Sequence, residues 1–424
     1  MTHTNRRRFD RRRFLKAVTA SSVAAVAGCQ GRHPRADAEH PVTGTVTSWS
    51  SFRGDPHNTG FARGVASTSD DPTVAWTYEA DGPFWGSPAV VDGTVYVGST
   101  DHSVYALDAE TGEEQWSFAT DHRVEATPAV ADGTVYVGSY DMHLYAIDAT
   151  TGDERWTRDL GGLIRGSPVV RDGTIYVGVG CHNLVCAPFA EEAGVTGVGG
   201  IYALDAESGE VNWRYDVGNE VVSTPATDGE TVYVGASDET LYALDTDSGE
   251  AKWTYEVGDM IWSSPALAFG TVYFGDWDGL VHAVDANTGE EQWYADVVAH
   301  YISGSVAVDE DTIYVGDTPL NSLDDPSPNY GTVMGLDRTT GEELWAFETP
   351  AFEVGSSPVV SDDRLYFGTH GQTGSEDVGV YGLSTDGDEQ WYMEIGGRGV
   401  GSSPVLLNGT LYFSATDGRV YAVE

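Results

Sequence analysis

The chain is 424 residues long and strongly acidic, with 66 Asp plus Glu against 22 Lys plus Arg and a formal net charge of −44. Setting aside Met1 to Gly28, which carry seven basic side chains and one acid, leaves 15 basic and 65 acidic residues, a net charge of −50, with Lys252 the only lysine. That balance argues against nucleic-acid binding, which needs a basic face. Charge of this size repels itself in dilute salt, whereas in multi-molar salt the Debye length shrinks to about 3 Å or less. The acids lie in every repeat of the chain, so the expectation is a halophilic, haloarchaeal surface protein rather than an acidic patch for one basic partner.

In chain order, residues 1–28 read as an address. Arg11-Arg12-Arg13-Phe14-Leu15-Lys16 resembles a twin-arginine export signal, and the apolar run Ala17 to Gly28 is too short to span a bilayer. Val26-Ala27-Gly28-Cys29 resembles a lipobox, with Cys29 the lipidated first residue; the plain alternative is a buried cysteine at the end of a signal. No other stretch is apolar enough to cross a membrane, so a lipid on Cys29 is the expected membrane contact. Residues 29–48, with Pro, Gly, Thr and charge, read as a flexible tether, and residues 49–73 as a lead-in. The expected location is the extracellular face of the cytoplasmic membrane.

From Val74 onward one pattern returns. ALDAETGEEQW ends at Trp116, and copies end at Trp156, Trp213, Trp253 and Trp293, with looser ones at Trp345 and Trp391; Trp76 stands alone at the front. Each repeat reads as four short strands, illustrated by Ala89 to Val91, Thr94 to Gly98, Val104 to Leu107 and Glu113 to Phe118. The turns between them are Asp92-Gly93, Thr100 to Ser103 and Asp108 to Gly112. Four strands in about 40 residues make the blade of a β-propeller. The strand starts Ser87, Thr127, Ser167, Thr224, Ser264, Ser305, Ser357 and Ser403 number eight. The last repeat stops after its third strand, while Val74 to Glu79 has no repeat before it. The expected fold is therefore all-β, an eight-bladed propeller over residues 74–424, closed by the N-terminal strand completing the last blade.

Ala106, Asp108, Thr111, Gly112 and Trp116 occupy every position of a motif that resembles the tryptophan-docking repeat of the pyrroloquinoline quinone (PQQ) propeller superfamily. The resemblance covers Val74 to Glu424. It implies that Trp76, Trp116, Trp156, Trp213, Trp253, Trp293, Trp345 and Trp391 dock between blades, each received by an Asp-to-Gly turn. That superfamily holds quinoprotein dehydrogenases and non-enzymatic relatives such as the lipoprotein of bacterial outer-membrane assembly. Trp49, Phe52-Arg53-Gly54-Asp55 and Asn58-Thr59-Gly60 resemble the lead-in of the latter group.

Three long insertions, Val179 to Gly199, Asp317 to Gly331 and Thr369 to Gly379, all fall between second and third strands, which puts them on one face. The links into each first strand should open on that face. Two residues before each Ser/Thr start stand Trp85, Glu125, Arg165, Val222, Trp262, Ser303, Gly355 and Gly401. This variable set is expected around a funnel mouth, with Trp85 and Trp262 on opposite blades and Glu125 and Arg165 able to pair. A flat ligand between the tryptophans is one reading of Trp85, Glu125, Arg165 and Trp262; rim packing with a surface ion pair is the other. Cys181 and Cys186 can form a local disulfide or, with His182, bind a metal. Asp101, Asp141, Asp238, Asp276 and Asp417 recur before third strands and read as turn residues. The adjacent cysteines of some quinoprotein dehydrogenases are absent, as is a Cys-x-x-Cys-His haem motif, and the calcium ligands and catalytic Asp of those enzymes match no motif here. No catalytic residue is assigned. The expectation is a non-catalytic scaffold without a cofactor or metal, whose elaborated face binds a protein or cell-envelope partner. The alternative is a PQQ-dependent dehydrogenase, or a degenerate quinone-binding relative, using PQQ with calcium.

Overall fold

The structure is a computed structural model and describes residues 41–180, 199–297, 301–318, 330–351, 354–371 and 378–424. Cys29, Cys181, Cys186 and the twin-arginine segment lie outside the described residues. Among the described residues, thirty-two strands and no helix form eight four-stranded antiparallel sheets. In blade one the order is Ala89–Val91, Thr94–Gly98, Ser103–Asp108 and Glu114–Ala119. First strands of neighbouring blades approach one another, so they line the axis. Thr94–Gly98 is buried throughout, whereas Glu114–Ala119 alternates and shows its polar side to solvent. The hairpin at Asp92-Gly93 has φ of 49° and 77°, the doubly left-handed turn whose twist matches antiparallel strands.

The blades lock through tryptophan. Asp108 Oδ1 accepts the N–H groups of Glu110 and Thr111 at 3.1 and 2.9 Å and shapes the turn. Gly112 closes that turn at φ +72°, and a Cβ there would lie 2.5 Å from the Trp76 ring. Trp76 Nε1 donates to Ala109 O of the same turn at 3.0 Å. Equivalent bonds join Trp116 to Ala149, Trp156 to Ala206, Trp213 to Thr246, Trp253 to Ala286, Trp293 to Arg338 and Trp345 to Thr385. Tyr96 tilts against Trp116 with centroids 5.9 Å apart and donates to the same Ala149 carbonyl at 3.2 Å.

Closure is as the sequence implies. Val74–Glu79 pairs antiparallel with Arg419–Val423, with Trp76 opposite Ala422 and Tyr78 opposite Val420. Because Thr73 and Glu424 exchange backbone bonds where a turn would stand, Trp391 has no Asp-to-Gly turn to enter. It is buried, and its Nε1 has no hydrogen-bond partner among the described residues. Lead-in residues cover the seam instead: Thr68 N–H donates to Tyr366 Oη at 3.0 Å, and Arg364 reaches the Thr68 carbonyl at 3.3 Å. Trp116→Phe should therefore cost about 1 kcal/mol more than Trp391→Phe, the worth of one hydrogen bond. Denaturation midpoints of the two variants check this, and equal losses would refute it.

The turn carboxylates make stability pH-dependent. Asp148 is held down from 3.8 to about 2 by Arg155 and by the N–H groups of Thr151 and Thr150. Asp108, Asp205, Asp245 and Asp337 are lowered too, each chiefly by hydrogen bonds from its own turn. Carboxyls lowered by folding stabilise the fold above their unfolded values and lose that contribution as pH falls through the folded ones. For Asp148 the loss runs from pH 3.8 down to about 2. Protonation also relieves self-repulsion, so the test is comparative: the stability gap between wild type and Asp148→Asn should close across that window.

One aspartate departs from the turn series. Asp101, Asp141, Asp238 and Asp417 accept the hydroxyls of Tyr105, Tyr145, Tyr242 and Tyr421 at 2.8, 2.9, 2.8 and 2.6 Å. Asp276 does not belong with them. Aligned from the strand-ending Gly275, it occupies the place of Ser99, and Asp278 is the true counterpart of Asp101. Asp276 is fully buried and bonds His282 Nε2 at 3.0 Å.

Candidate functional site

The lead-in does not run along the outside; it crosses the axis. Trp49 and Val90 exchange backbone hydrogen bonds of 2.7 and 2.8 Å. The carbonyls of Ser50, Pro56, His57, Thr59 and Gly60 then accept from Val130, Thr227, Leu267, Val308 and Val360 at 2.7 to 3.0 Å. First strands of six blades, which face an open axis, thereby obtain partners for N–H groups that burial would leave costly. Arg53 is buried and donates to the carbonyls of Val306, at 2.7 Å, and Pro358. Gly60 makes room for that guanidinium: its φ is +62°, and a Cβ would lie 2.1 Å from Arg53 Nη2. Asn58 Nδ2 faces the carbonyls of Thr224, Pro225 and Pro265 at 3.2, 2.9 and 3.2 Å.

Above this plug lies a cavity of about 300 Å³, with Phe52 in its wall. All eight positions that the repeat alignment places at the funnel mouth line it, Trp85, Glu125, Arg165 and Trp262 among them. The expected Glu125–Arg165 pair is not what forms. Glu125 is taken by Arg123 Nε at 3.2 Å and by the Tyr140 hydroxyl. Arg165 instead stands 3.7 Å from the buried Glu220 carboxylate, with its Cζ 5.2 Å from the Trp262 ring centroid. A residue on its own blade, Arg123, reaches Glu125, and Glu220 on the next blade reaches Arg165. Burial opposes the charge of Arg165, but Tyr140, Glu220 and Glu125 outweigh it and raise its pKa. Burial likewise pushes the Tyr140 hydroxyl up, with Arg165 pulling against it.

Trp262 is fixed by Nε1 donating to Ser237 Oγ at 3.0 Å and continues into an aromatic row, with Trp277 at 4.4 Å and Tyr301 at 4.8 Å from Trp277. Trp85 packs on His370 at 5.2 Å. Neither His370 nor Phe52 stands out as a site residue in the sequence, since one borders an insertion and the other belongs to the lead-in.

Beneath these side chains runs a ring. Each blade's Ser or Thr start donates its N–H to the hydroxyl of the next: Ser87 to Thr127, Thr127 to Ser167, Ser167 to Thr224, Thr224 to Ser264. It continues through Ser305, Ser357 and Ser403 and closes on Ser87 Oγ, with all eight bonds between 2.8 and 3.2 Å. The strict Ser/Thr at these starts was a visible signal for this ring, though its direction was not.

The family model described as outer membrane protein assembly factor BamB matches residues 34–125, 101–194, 189–279 and 277–424. The chain belongs to that family. Among solved structures it resembles BamB from Moraxella catarrhalis, at 20% identity and a TM-score of 0.65, covering 84% of this chain and 100% of that one. It also resembles the quinohemoprotein alcohol dehydrogenase from Comamonas testosteroni, at 18% identity and TM-score 0.75, covering 90% of this chain and 81% of that one. A europium-containing methanol dehydrogenase matches at 15% identity and TM-score 0.71, covering 89% and 98%. At these identities the likeness is one of fold. Among curated proteins nothing matches.

A calcium-held quinone would need a cluster of carboxylate or other metal-ligating side chains at the cavity. Among the described residues no group of three or more His, Cys, Asp or Glu is arranged to hold a metal ion. Glu125, the one carboxylate lining the cavity, is already bound by Arg123 and Tyr140. These residues do not fit a calcium site.

Proposed function

We propose that this protein is a lipid-anchored, cell-surface scaffold, held through Cys29 after twin-arginine export, whose elaborated face binds a protein or envelope partner. The observation that carries the reading is the plug: residues 49–62 block the axis below the cavity, leaving as its mouth the face on which second strands turn back into third strands. The family description, an assembly factor, favours a protein partner over a small substrate. A photo-crosslinker in place of His102, an exposed residue on that face, should label a discrete partner on intact cells. The same group in place of Asp92, exposed on the opposite face, should not. Equal labelling from both positions, or none from either, overturns the reading. The quinone-binding alternative has Trp85 and Trp262 in its favour, and saturable quenching of their fluorescence by PQQ with calcium would bring it forward.

The charge of the mature chain supports a high-salt environment. The domain from Gln30 onward should lose structure on dialysis from multi-molar to millimolar salt, as its self-repulsion is unscreened. An unchanged melting temperature would refute this.

A further inference from the structure

The hydroxyl ring has an uneven hydrogen-bond inventory. A serine or threonine hydroxyl offers one proton and two lone pairs. In the ring each oxygen already accepts an N–H from the preceding blade, and none of the eight donates its own proton to an acceptor among the described residues. All eight side chains line the cavity and are more than nine-tenths buried, from Thr127 at 2% exposed to Ser403 at 6%. Burial without an acceptor is costly for a polar group, so these protons call for a partner inside the cavity.

Arg165 adds to the excess of donors. Its Nη1 is buried and makes no hydrogen bond, lying 3.7 Å from Glu220 Oε2. The opposing carboxylate at the rim, Glu125, is neutralised by Arg123. A cavity of about 300 Å³ corresponds to roughly ten waters at ~30 Å³ each. That is space for a small polyatomic group with its hydration.

We propose that the funnel floor is a receptor for an oxyanion, a carboxylate or a phosphate, held by a subset of neighbouring ring hydroxyls and by Arg165, with bridging water completing the ring. A site built of donors is matched by a ligand made of acceptors, and charge-assisted bonds to an oxyanion are the strong ones. The inference rests on the reading of the funnel as a binding face and names the chemistry of the group that enters it: a peptide carboxylate or a lipid or free phosphate.

The test titrates inorganic phosphate and, separately, acetate into the full chain at constant multi-molar potassium chloride. Fluorescence of Trp262, whose ring lies 5.2 Å from the Arg165 Cζ, reports binding. We expect saturation with a Kd of about 1 mM or tighter for at least one anion. Phosphate alone saturating identifies a phosphate-bearing ligand, and acetate alone a carboxylate. Arg165→Gln, which lies outside the ring, should weaken binding at least tenfold. Thr224→Ser, which keeps the hydroxyl, should leave binding intact, whereas Ser264→Ala should weaken it. No saturation by either anion, or binding indifferent to Arg165→Gln, overturns the proposal. Cross-linking from position 102 separates the two readings: persistent cross-links without anion binding remove the oxyanion and leave the scaffold, and the reverse leaves only the site.

Discussion

A chain lacking Val74–Glu79 is expected to show no cooperative unfolding and to elute as aggregate rather than monomer. The segment is the fourth strand of the last blade, and its loss exposes the edge of Arg419–Val423 to pairing with other chains. It also removes Trp76, which packs in one core cluster with Val420, Ala422 and Phe413 and docks into the Asp108–Gly112 turn of blade one. Loss of a buried tryptophan alone costs about 3–5 kcal/mol. Adding the broken ladder consumes most of a net stability on the order of 5–15 kcal/mol. Circular dichroism and size-exclusion chromatography in multi-molar salt check the outcome; a monodisperse, cooperatively melting product would show that the ring stands without its clasp.

Arg53→Met is the second large effect expected. The guanidinium fork reaches two blades at once, through Val306 and Pro358. Burial opposes its charge, and the field of Asp55 offsets part of that cost. Removing the fork leaves two buried carbonyls without their donor, about 1–3 kcal/mol each, so a loss of roughly 2–6 kcal/mol is expected. Arg53→Lys should recover only part of it, since a single ammonium cannot reproduce a planar fork. Because Phe52 precedes Arg53 and lines the cavity, the variant should also loosen the funnel floor. An unfolding free energy within about 0.5 kcal/mol of wild type would show that the plug is held by its backbone bonds alone.

The repeat made most of the architecture legible. A 40-residue spacing of Trp, with Asp-x-x-Thr-Gly ahead of it, encodes a strand, a turn and the socket for a neighbour's ring, because each local choice serves the same blade. The same repeat register therefore places Trp85, Glu125, Arg165 and Trp262 around one cavity. What the repeat could not show is whatever breaks it. The path of Trp49 to Ala62 across the axis depends on pairing with residues up to 300 positions away, and nothing local encodes that. Trp391 sits on a looser copy of the motif, with Ser384 where Asp108 stands, and its Nε1 finds no socket because Thr73 and Glu424 stand where the turn of blade eight would be. Arg165 faces Glu220 rather than Glu125, whose carboxylate is taken by Arg123 and the Tyr140 hydroxyl.

The plug and the clasp both pair with residues made long after them. Residues 49–62 and 74–79 leave the ribosome before any of the blades they hold, and the bond between Arg419 and Glu79 joins positions 340 apart. Blade eight can only be completed after Arg419–Val423 has been synthesised, so closure of the ring follows synthesis of all eight blades. Contacts of such long sequence separation fold slowly. Until Val74–Glu79 pairs with Arg419–Val423, the nascent protein is an open arc with unpaired edges, a state prone to association with other chains.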